Sequence, residues 1–170
     1  LPVRTQIEAE TMNINDRLVL LAAGVFAMTA APTFAQDIAD DAADVILIIE
    51  QQWRAEQDGD SDWLDEMLVD EFSGWPKGAP APRTKQSTKK WDRFQDDQGE
   101  TLEHELYFQN IVVHDDVAIA HYLYTSAYQD KEKKKVEVNN GRDTDVLGRT
   151  EDGGKFIAWA GGDAEEIAPG

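Results

Sequence analysis

Apolar residues recur every three or four positions along the early part of the chain, which is the spacing of a helix with one buried face. Over residues 37–56 they are Ile38, Ala42, Val45, Ile46, Ile49 and Trp53. Similar spacing predicts a second helix from Trp63 to Phe72 and a short third helix over about 85–97. Three prolines and Gly78 within 75–82 exclude regular structure between them.

The second half of the chain has the composition of strands, rich in β-branched and aromatic residues. The pattern predicts strands over 102–113, 117–129, 142–150 and 155–160. Two segments between the second and third of these strands carry turn residues, Asp130–Lys135 and Asn139–Gly141, and either can be the hairpin tip. Helices followed by strands predict an α+β domain.

A different pattern precedes the first helix. Arg17 stands before an apolar run of 14 residues, 18–31, and Pro32 and Ala35 follow it. This order is typical of a secretory signal peptide over 12–35, cleaved after Ala35. We therefore expect a periplasmic or secreted protein whose single domain is 36–170, with residues 1–11 as an N-terminal extension ahead of Met12. A membrane anchor and a buried N-terminal helix are the alternatives, although spanning a bilayer needs about 20 apolar residues.

Charge and composition narrow the possible partners. The 170 residues include 16 basic and 34 acidic ones, for a formal charge of −18, and no cysteine. Without cysteine the chain has no disulfides and no thiolate metal ligands. Its acidity argues against binding nucleic acid or an anionic membrane. The histidines lack metal-site spacing and no glycine-rich phosphate loop occurs, so we expect neither metal nor cofactor.

Three short segments suggest a family. Residues 142–147 (RDTDVL) and 151–156 (EDGGKF) resemble the R-x-T-D-V … D-G-K-W motif of SnoaL-like proteins, which belong to the nuclear transport factor 2-like superfamily. Residues 116–120 (DVAIA) are similar to that family's G-D-V-A-V strand opening, and 70–75 (DEFSGW) to its H-P-D-F-x-G-W segment. The resemblance covers about 40–163. Phe156 stands in place of the usual tryptophan, and Gly153-Gly154 adds a residue to the turn.

The resemblance implies a cone: a strongly curved antiparallel sheet wrapped around about three helices, with a pocket inside. Many members pair through the outer face of the sheet, so a homodimer is expected. On strand 117–129 the resemblance places Ala118, Ala120, Tyr122 and Tyr124 inward and Val117, Ile119, His121 and Leu123 outward. The superfamily includes isomerases, cyclases, dehydratases and binding modules, so the fold alone does not give the function.

Asp145 is the main candidate for chemistry. By resemblance it matches the inward-facing aspartic acid of the ketosteroid isomerases, whose pKa an apolar pocket raises. The isomerases' second carboxylate matches Trp75, and their first-helix tyrosine falls near Gln52 and Trp53, so steroid-isomerase chemistry is not carried over. Asp145 pairing with Arg142, or capping a bulge, is the structural alternative. His104 is a candidate general base, or a half-buried structural residue.

Aromatic residues are expected to line the pocket around Asp145. The predicted lining set is Trp53, Trp75, Tyr122, Tyr124 and Trp159, with Ile157 beside Trp159 on the last strand. The leading hypothesis is therefore an exported protein that binds a small, mostly apolar molecule. An isomerase, cyclase or dehydratase that uses Asp145 or His104 is the second hypothesis. A ligand-free interaction module that pairs through the face of His121 is the third.

Overall fold

The structure, a computed structural model, describes the backbone of residues 33–164 and the side chains of residues 41–164. The predicted extension and signal peptide lie outside the described residues, except for residues 33–35 at the start of the first helix. The elements in chain order are α1 Thr33–Asp58, α2 Trp63–Glu66, β1 Leu68–Trp75, β2 Arg83–Thr84, α3 Lys85–Gln98, β3 Gly99–His114, β4 Val117–Asp130, β5 Val136–Thr150 and β6 Gly153–Asp163. No helix in the described part of the chain is long and apolar enough to cross a membrane.

The six strands form one sheet in the order β2-β1-β6-β5-β4-β3. Every neighbouring pair is antiparallel except β1 with β6, which run parallel. The sheet is therefore mixed, where a fully antiparallel one was expected. The α+β class itself is confirmed. The most deeply buried side chains are Ile49 of α1, Leu64 of α2, Leu68 and Phe72 of β1, and Phe156 of β6.

The predicted second helix is wrong beyond its first turn. The helix ends at Glu66, and β1 begins at Leu68. The Lys85 ammonium donates to the carbonyl oxygens of Asp65 at 3.1 Å and Leu68 at 2.8 Å, which satisfies the end of the short helix. Leu68 and Phe72 are four residues apart and both buried, a spacing that resembles a helix face. Residues an even number apart also share one face of a strand, so β1 buries the same two side chains.

The third helix follows the prediction closely, and each later strand contains its predicted range, although β5 begins six residues earlier than predicted, at Val136. The Thr84 hydroxyl accepts a hydrogen bond from the Ser87 amide at 3.3 Å and so caps the start of α3. The β4–β5 connection is at 131–135, whereas Asn139–Gly141 lies within β5. The first of the two turn segments is therefore the hairpin tip.

Strand β4 confirms the predicted alternation. Ala118, Ala120 and Tyr122 are buried, whereas Ile119 and Leu123 remain 36% and 40% exposed. The inner residues pack toward α1 and the outer ones form a separate apolar face.

Bulges change the alternation in β3 and β6. Register shifts after Thr101 and Phe108 bring both His104 and Ile111 to the partly buried side of β3. In β6 a shift against β5 turns Phe156 into the core, with Trp159 packing against it. Ile157, which was expected to face the pocket, is the residue skipped by that pairing.

Candidate functional site

A cavity of about 500 Å³ lies between α1, α3 and the inner face of the sheet. Five of the predicted lining residues surround it, namely Trp53, Tyr122, Tyr124, Asp145 and Trp159. They come from α1, β4, β5 and β6, so the sheet curvature brings distant parts of the chain to one space. Asp145 stands opposite Ala120 on β4.

A hydrogen-bonded chain connects three of these residues. The Trp53 Nε1–H donates to the Tyr122 hydroxyl oxygen at 3.0 Å, and the Tyr122 O–H donates to Asp145 Oδ2 at 2.8 Å. Asp145 is only 3% exposed. Burial raises the pKa of Asp145 to about 7, although the hydrogen bond from Tyr122 acts in the opposite direction by stabilising the carboxylate. Both protonation states of Asp145 are therefore populated near neutral pH.

The Asp145 carboxyl group does not pair with Arg142. Arg142 and Asp145 are an odd number of positions apart on a regular stretch of β5, so they lie on opposite faces of the sheet. The partner of Asp145 is the Tyr122 hydroxyl on the neighbouring strand.

Asp143 is a second acidic group in the cavity. It lies two positions before Asp145 on the same face of β5, directly opposite Tyr122. Burial raises the pKa of Asp143 to about 8, with additional contributions from the charges of Asp145 and Glu56, while the charge of Lys77 lowers it. The protonated, neutral forms of both Asp143 and Asp145 are thus populated at physiological pH.

Glu56 contributes a third carboxyl group from α1. It accepts a hydrogen bond from Gln52 Nε2 at 2.9 Å and lines the same cavity. Desolvation, followed by the charge of Asp92, raises the pKa of Glu56. Glu56 is nevertheless an exposed residue, so water moderates this effect.

The sequence analysis missed both Glu56 and Asp143. Asp143 could have been found from the two-residue period of a strand, because it shares the face of Asp145. Glu56 could have been found from its place three residues after Trp53, on the same side of a helix.

An aromatic wall stands beside the carboxyl groups. The ring centroids of Trp53 and Tyr124 are 4.9 Å apart, and those of Trp53 and Tyr122 are 6.4 Å apart with the rings edge to face. Burial and the charge of Asp143 raise the pKa of Tyr124 to about 12, so its phenol stays protonated. Trp159 packs on Phe72 with ring centroids 4.3 Å apart and forms the inner end of the wall.

Helix α3 and the segment before it supply cavity-lining residues that no motif had indicated. Trp91 lines the cavity, and the Arg83 guanidinium lies 4.2 Å from the centroid of its ring. Lys77 also lines the cavity and forms an ion pair with Asp163 at 2.7 Å.

Two predicted candidates lie elsewhere. Trp75 is 50% exposed and is not among the residues that line the cavity; its Nε1–H donates to the Ala79 carbonyl oxygen at 2.8 Å. His104 packs on the Trp53 ring, with centroids 5.5 Å apart, but does not line the cavity either. Burial lowers the pKa of His104, so its ring is neutral at pH 7. Among the described residues no cluster of metal-ligating side chains was found.

Comparison by sequence does not identify the chain: no family model matches it, and no curated protein matches it.

Solved structures do match it. A conserved protein from Planctomyces limnophilus has a TM-score of 0.68 at 15% identity, over 73% of this chain and 96% of that one. An NTF2-like protein of unknown function in nutrient uptake from Rhodospirillum rubrum has a TM-score of 0.59 at 18% identity, over 71% and 98%.

A ketosteroid isomerase-like protein from Erwinia carotovora atroseptica has a TM-score of 0.63 at 13% identity, over 76% of this chain and 98% of that one. The names of these three structures do not include the SnoaL-like group, so that closer assignment stays a prediction. The mixed six-stranded sheet with its helices is the nuclear transport factor 2-like fold.

Proposed function

We propose that this chain is an exported protein that binds a small, largely apolar molecule in the cavity between α1, α3 and the sheet. The observation that carries the proposal is the open space of about 500 Å³, bounded by aromatic rings and by a buried, hydrogen-bonded carboxyl group. Sites for small molecules generally have volumes of about 300–1,000 Å³ and combine apolar walls with a few polar groups. Export is supported by the signal-peptide pattern of residues 12–35.

The aromatic wall supplies most of the contact surface. Trp53 and Tyr124 present their rings to the cavity, and the hydrogen bond from Trp53 to Tyr122 holds the indole in place. Removing apolar surface from water is worth about 25 cal/mol per Å², so a flat apolar body that lies against these rings gains binding energy. The carboxyl groups provide polar contacts that orient it.

Isothermal titration calorimetry with 1-naphthalenemethanol, an uncharged bicyclic probe, tests this proposal. We expect measurable binding to the native chain and a loss of roughly tenfold or more in affinity for Trp53→Ala, which removes one wall. Trp75→Ala is the matched control, because Trp75 is exposed and lies outside the cavity lining. Absence of binding, or equal losses in both variants, would contradict the proposal and favour a ligand-free interaction module.

Proton-transfer catalysis is a second candidate function. The specific observation in its favour is Asp145, with a pKa of about 7 and a phenol hydrogen-bonded to it inside the cavity. A carboxyl group that titrates near the working pH both accepts and donates protons efficiently. An isomerase, cyclase or dehydratase acting on an apolar substrate would use this property.

Exchange of α-protons of 1-tetralone in D₂O, followed by NMR, examines the catalytic candidate. We expect exchange above the buffer rate that follows the ionisation of Asp145 and disappears in Asp145→Asn. Exchange that is unchanged in Asp145→Asn would exclude this residue as the base. His104→Gln is the comparison, since His104 lies outside the cavity lining and its replacement should leave the exchange rate as it is.

The outer face of the sheet supports a further proposal, that two copies pair through it. Its apolar residues on β3 and β4 keep between 36% and 47% of their surface exposed: Tyr107, Val112, Val117, Ile119 and Leu123. Apolar residues grouped on one sheet face are typical of a protein interface.

A further inference from the structure

The cavity holds more acidic than basic groups. Its acidic lining residues are Glu56, Asp92, Asp143 and Asp145. Its two basic lining residues, Lys77 and Arg83, each have other contacts, and of the two only Lys77 acts electrostatically on Asp143. The Lys77 ammonium pairs with Asp163 at 2.7 Å and donates to the Asn140 carbonyl oxygen at 2.8 Å, and Arg83 stacks on Trp91.

Three carboxyl groups that line the cavity form no ion pair among the described residues. Among residues 41–164, none of Glu56, Asp143 and Asp145 forms an ion pair with a lysine, arginine or histidine. The charges of Asp145 and Glu56 both act on Asp143 and raise its pKa. Carboxylates grouped in one enclosed space repel one another, and a cation placed among them would relieve that repulsion.

The aromatic wall next to these groups is also suited to a cation. Trp53 and Tyr124 form adjoining faces 4.9 Å apart between their centroids, and Glu56 and Asp143 act electrostatically on the Tyr124 phenol. An ammonium group over the face of tryptophan or tyrosine is attracted by the ring electrons, most strongly where water is excluded. Anionic groups beside aromatic faces favour cationic ligands over neutral ones of the same shape.

The wall of this space also contains a buried polar group that has no hydrogen-bond partner among residues 41–164. Trp63 is 5% exposed and lines the cavity, and its indole Nε1–H lacks an acceptor. Buried indole N–H groups usually have a partner, because an unpaired donor loses its hydrogen bond to water.

We propose that the ligand is a small organic cation, whose ammonium group faces Glu56 and Asp143 and whose apolar body contacts Trp53 and Tyr124. This inference rests on the proposed small-molecule function and specifies the chemical class of the ligand. The net charge of −18 acts in the same direction at long range, since it attracts cations and repels anions.

Three naphthalene probes with one ring system and different charges test the inference. They are 1-naphthylmethylamine, which is protonated at pH 7.5, neutral 1-naphthalenemethanol, and anionic 1-naphthoate. With the full chain and calorimetry in 0.15 M salt, we expect the amine to bind roughly tenfold or more tightly than the alcohol, and the acid most weakly.

One variant identifies the carboxyl group responsible. Asp143→Asn keeps the shape of the side chain and should remove most of the preference for the amine over the alcohol. Asp70→Asn is the matched control, since the Asp70 side chain is 94% exposed and lies outside the cavity lining. A preference that survives unchanged in Asp143→Asn would overturn the assignment of the cation to this group.

The pH dependence of the native chain provides a measurement that needs no variant. The carboxyl groups around the proposed ammonium position come from three elements: Glu56 of α1, Asp92 and Asp96 of α3, and Asp143 and Asp145 of β5. The other charged or titratable neighbours are Lys77 and Tyr124. Amine affinity should rise severalfold from pH 6 to pH 8 as Asp145 and Asp143, with pKa values of about 7 and about 8, ionise, while alcohol affinity stays flat.

The outcomes separate the two proposals. Equal affinity for the amine and the alcohol would refute the cationic ligand and leave small-molecule binding intact. Binding of none of the three probes would overturn both proposals. Tightest binding of the acid, or amine affinity that falls as the pH rises, would refute the cationic ligand directly.

Discussion

Replacing Asp145 by asparagine makes the energetic cost of this buried carboxyl group measurable. Asparagine has nearly the same shape and keeps an oxygen that can accept the Tyr122 hydroxyl hydrogen bond, now 2.8 Å long. Unlike aspartate, it does not ionise. The difference in stability between the two proteins therefore reports the ionisation of Asp145 in the folded state.

The magnitude follows from the pKa values. The pKa of Asp145 is raised from 3.8 to about 7, chiefly by burial. At about 1.4 kcal/mol per pKa unit, holding Asp145 ionised in the folded state costs about 4 kcal/mol. A raised folded-state pKa means that the folded protein binds more protons than the unfolded chain between these values, so stability falls as the pH rises from about 4 to about 7. Nearby Asp143 titrates over an overlapping range and is raised by the charge of Asp145, so the two groups titrate as a pair.

Urea denaturation at several pH values measures the effect. We expect Asp145→Asn and the native protein to have similar free energies of unfolding near pH 4, and the variant to be more stable by about 2–4 kcal/mol at pH 8. The urea slope should be unchanged. Asp70→Asn, at an exposed position, serves as the control and should show no such trend. A stability difference independent of pH, or a variant less stable at pH 8, would refute the reasoning.

Two other substitutions examine separate features. Trp53→Phe keeps an aromatic ring but removes the hydrogen bond to the Tyr122 hydroxyl, which is 3.0 Å long. We expect thermal or urea unfolding to show a free energy of unfolding lower by about 1 kcal/mol. A change near zero would show that the hydrogen bond contributes no net stability. Ile119→Glu places a charge on the outer sheet face. Under the proposed pairing, light scattering should give the mass of a dimer for the native protein and of a monomer for this variant, and equal masses would contradict the pairing. Phe94→Glu, at an exposed position of α3, is the matched control and should leave the native mass unchanged.

Much of the fold was predictable because its signals are local. α1 and α3 follow from three- and four-residue spacing, and the inward and outward residues of β4 follow from a period of two. Asp145 was predictable by resemblance alone, and the strand period could have added Asp143. These inferences need only residues within one element.

The errors occurred where pairing between elements decides the structure. Leu64, Leu68 and Phe72 are spaced four apart, which suits a helix, but pairing with β6 places the last two in a bulged strand. In β6, a single skipped residue in the pairing with β5 brings Phe156 rather than Ile157 into the core. Such register shifts depend on the partner strand and leave no mark in the periodicity of one strand.

The candidate site likewise has features that one strand or helix determines and features that depend on contacts between elements. The sequence alone determined which residues could contribute aromatic faces and carboxyl groups. Only the tertiary structure decided that Trp75 lies outside the cavity, that Trp91 and Glu56 line it, and that Glu56, Asp143 and Asp145 share it. The physical reason is that the burial which raises the pKa values of Asp143 and Asp145, and the charges of Asp145 and Glu56 which raise that of Asp143 further, arise only when the folded chain brings α1 and β5 around one space.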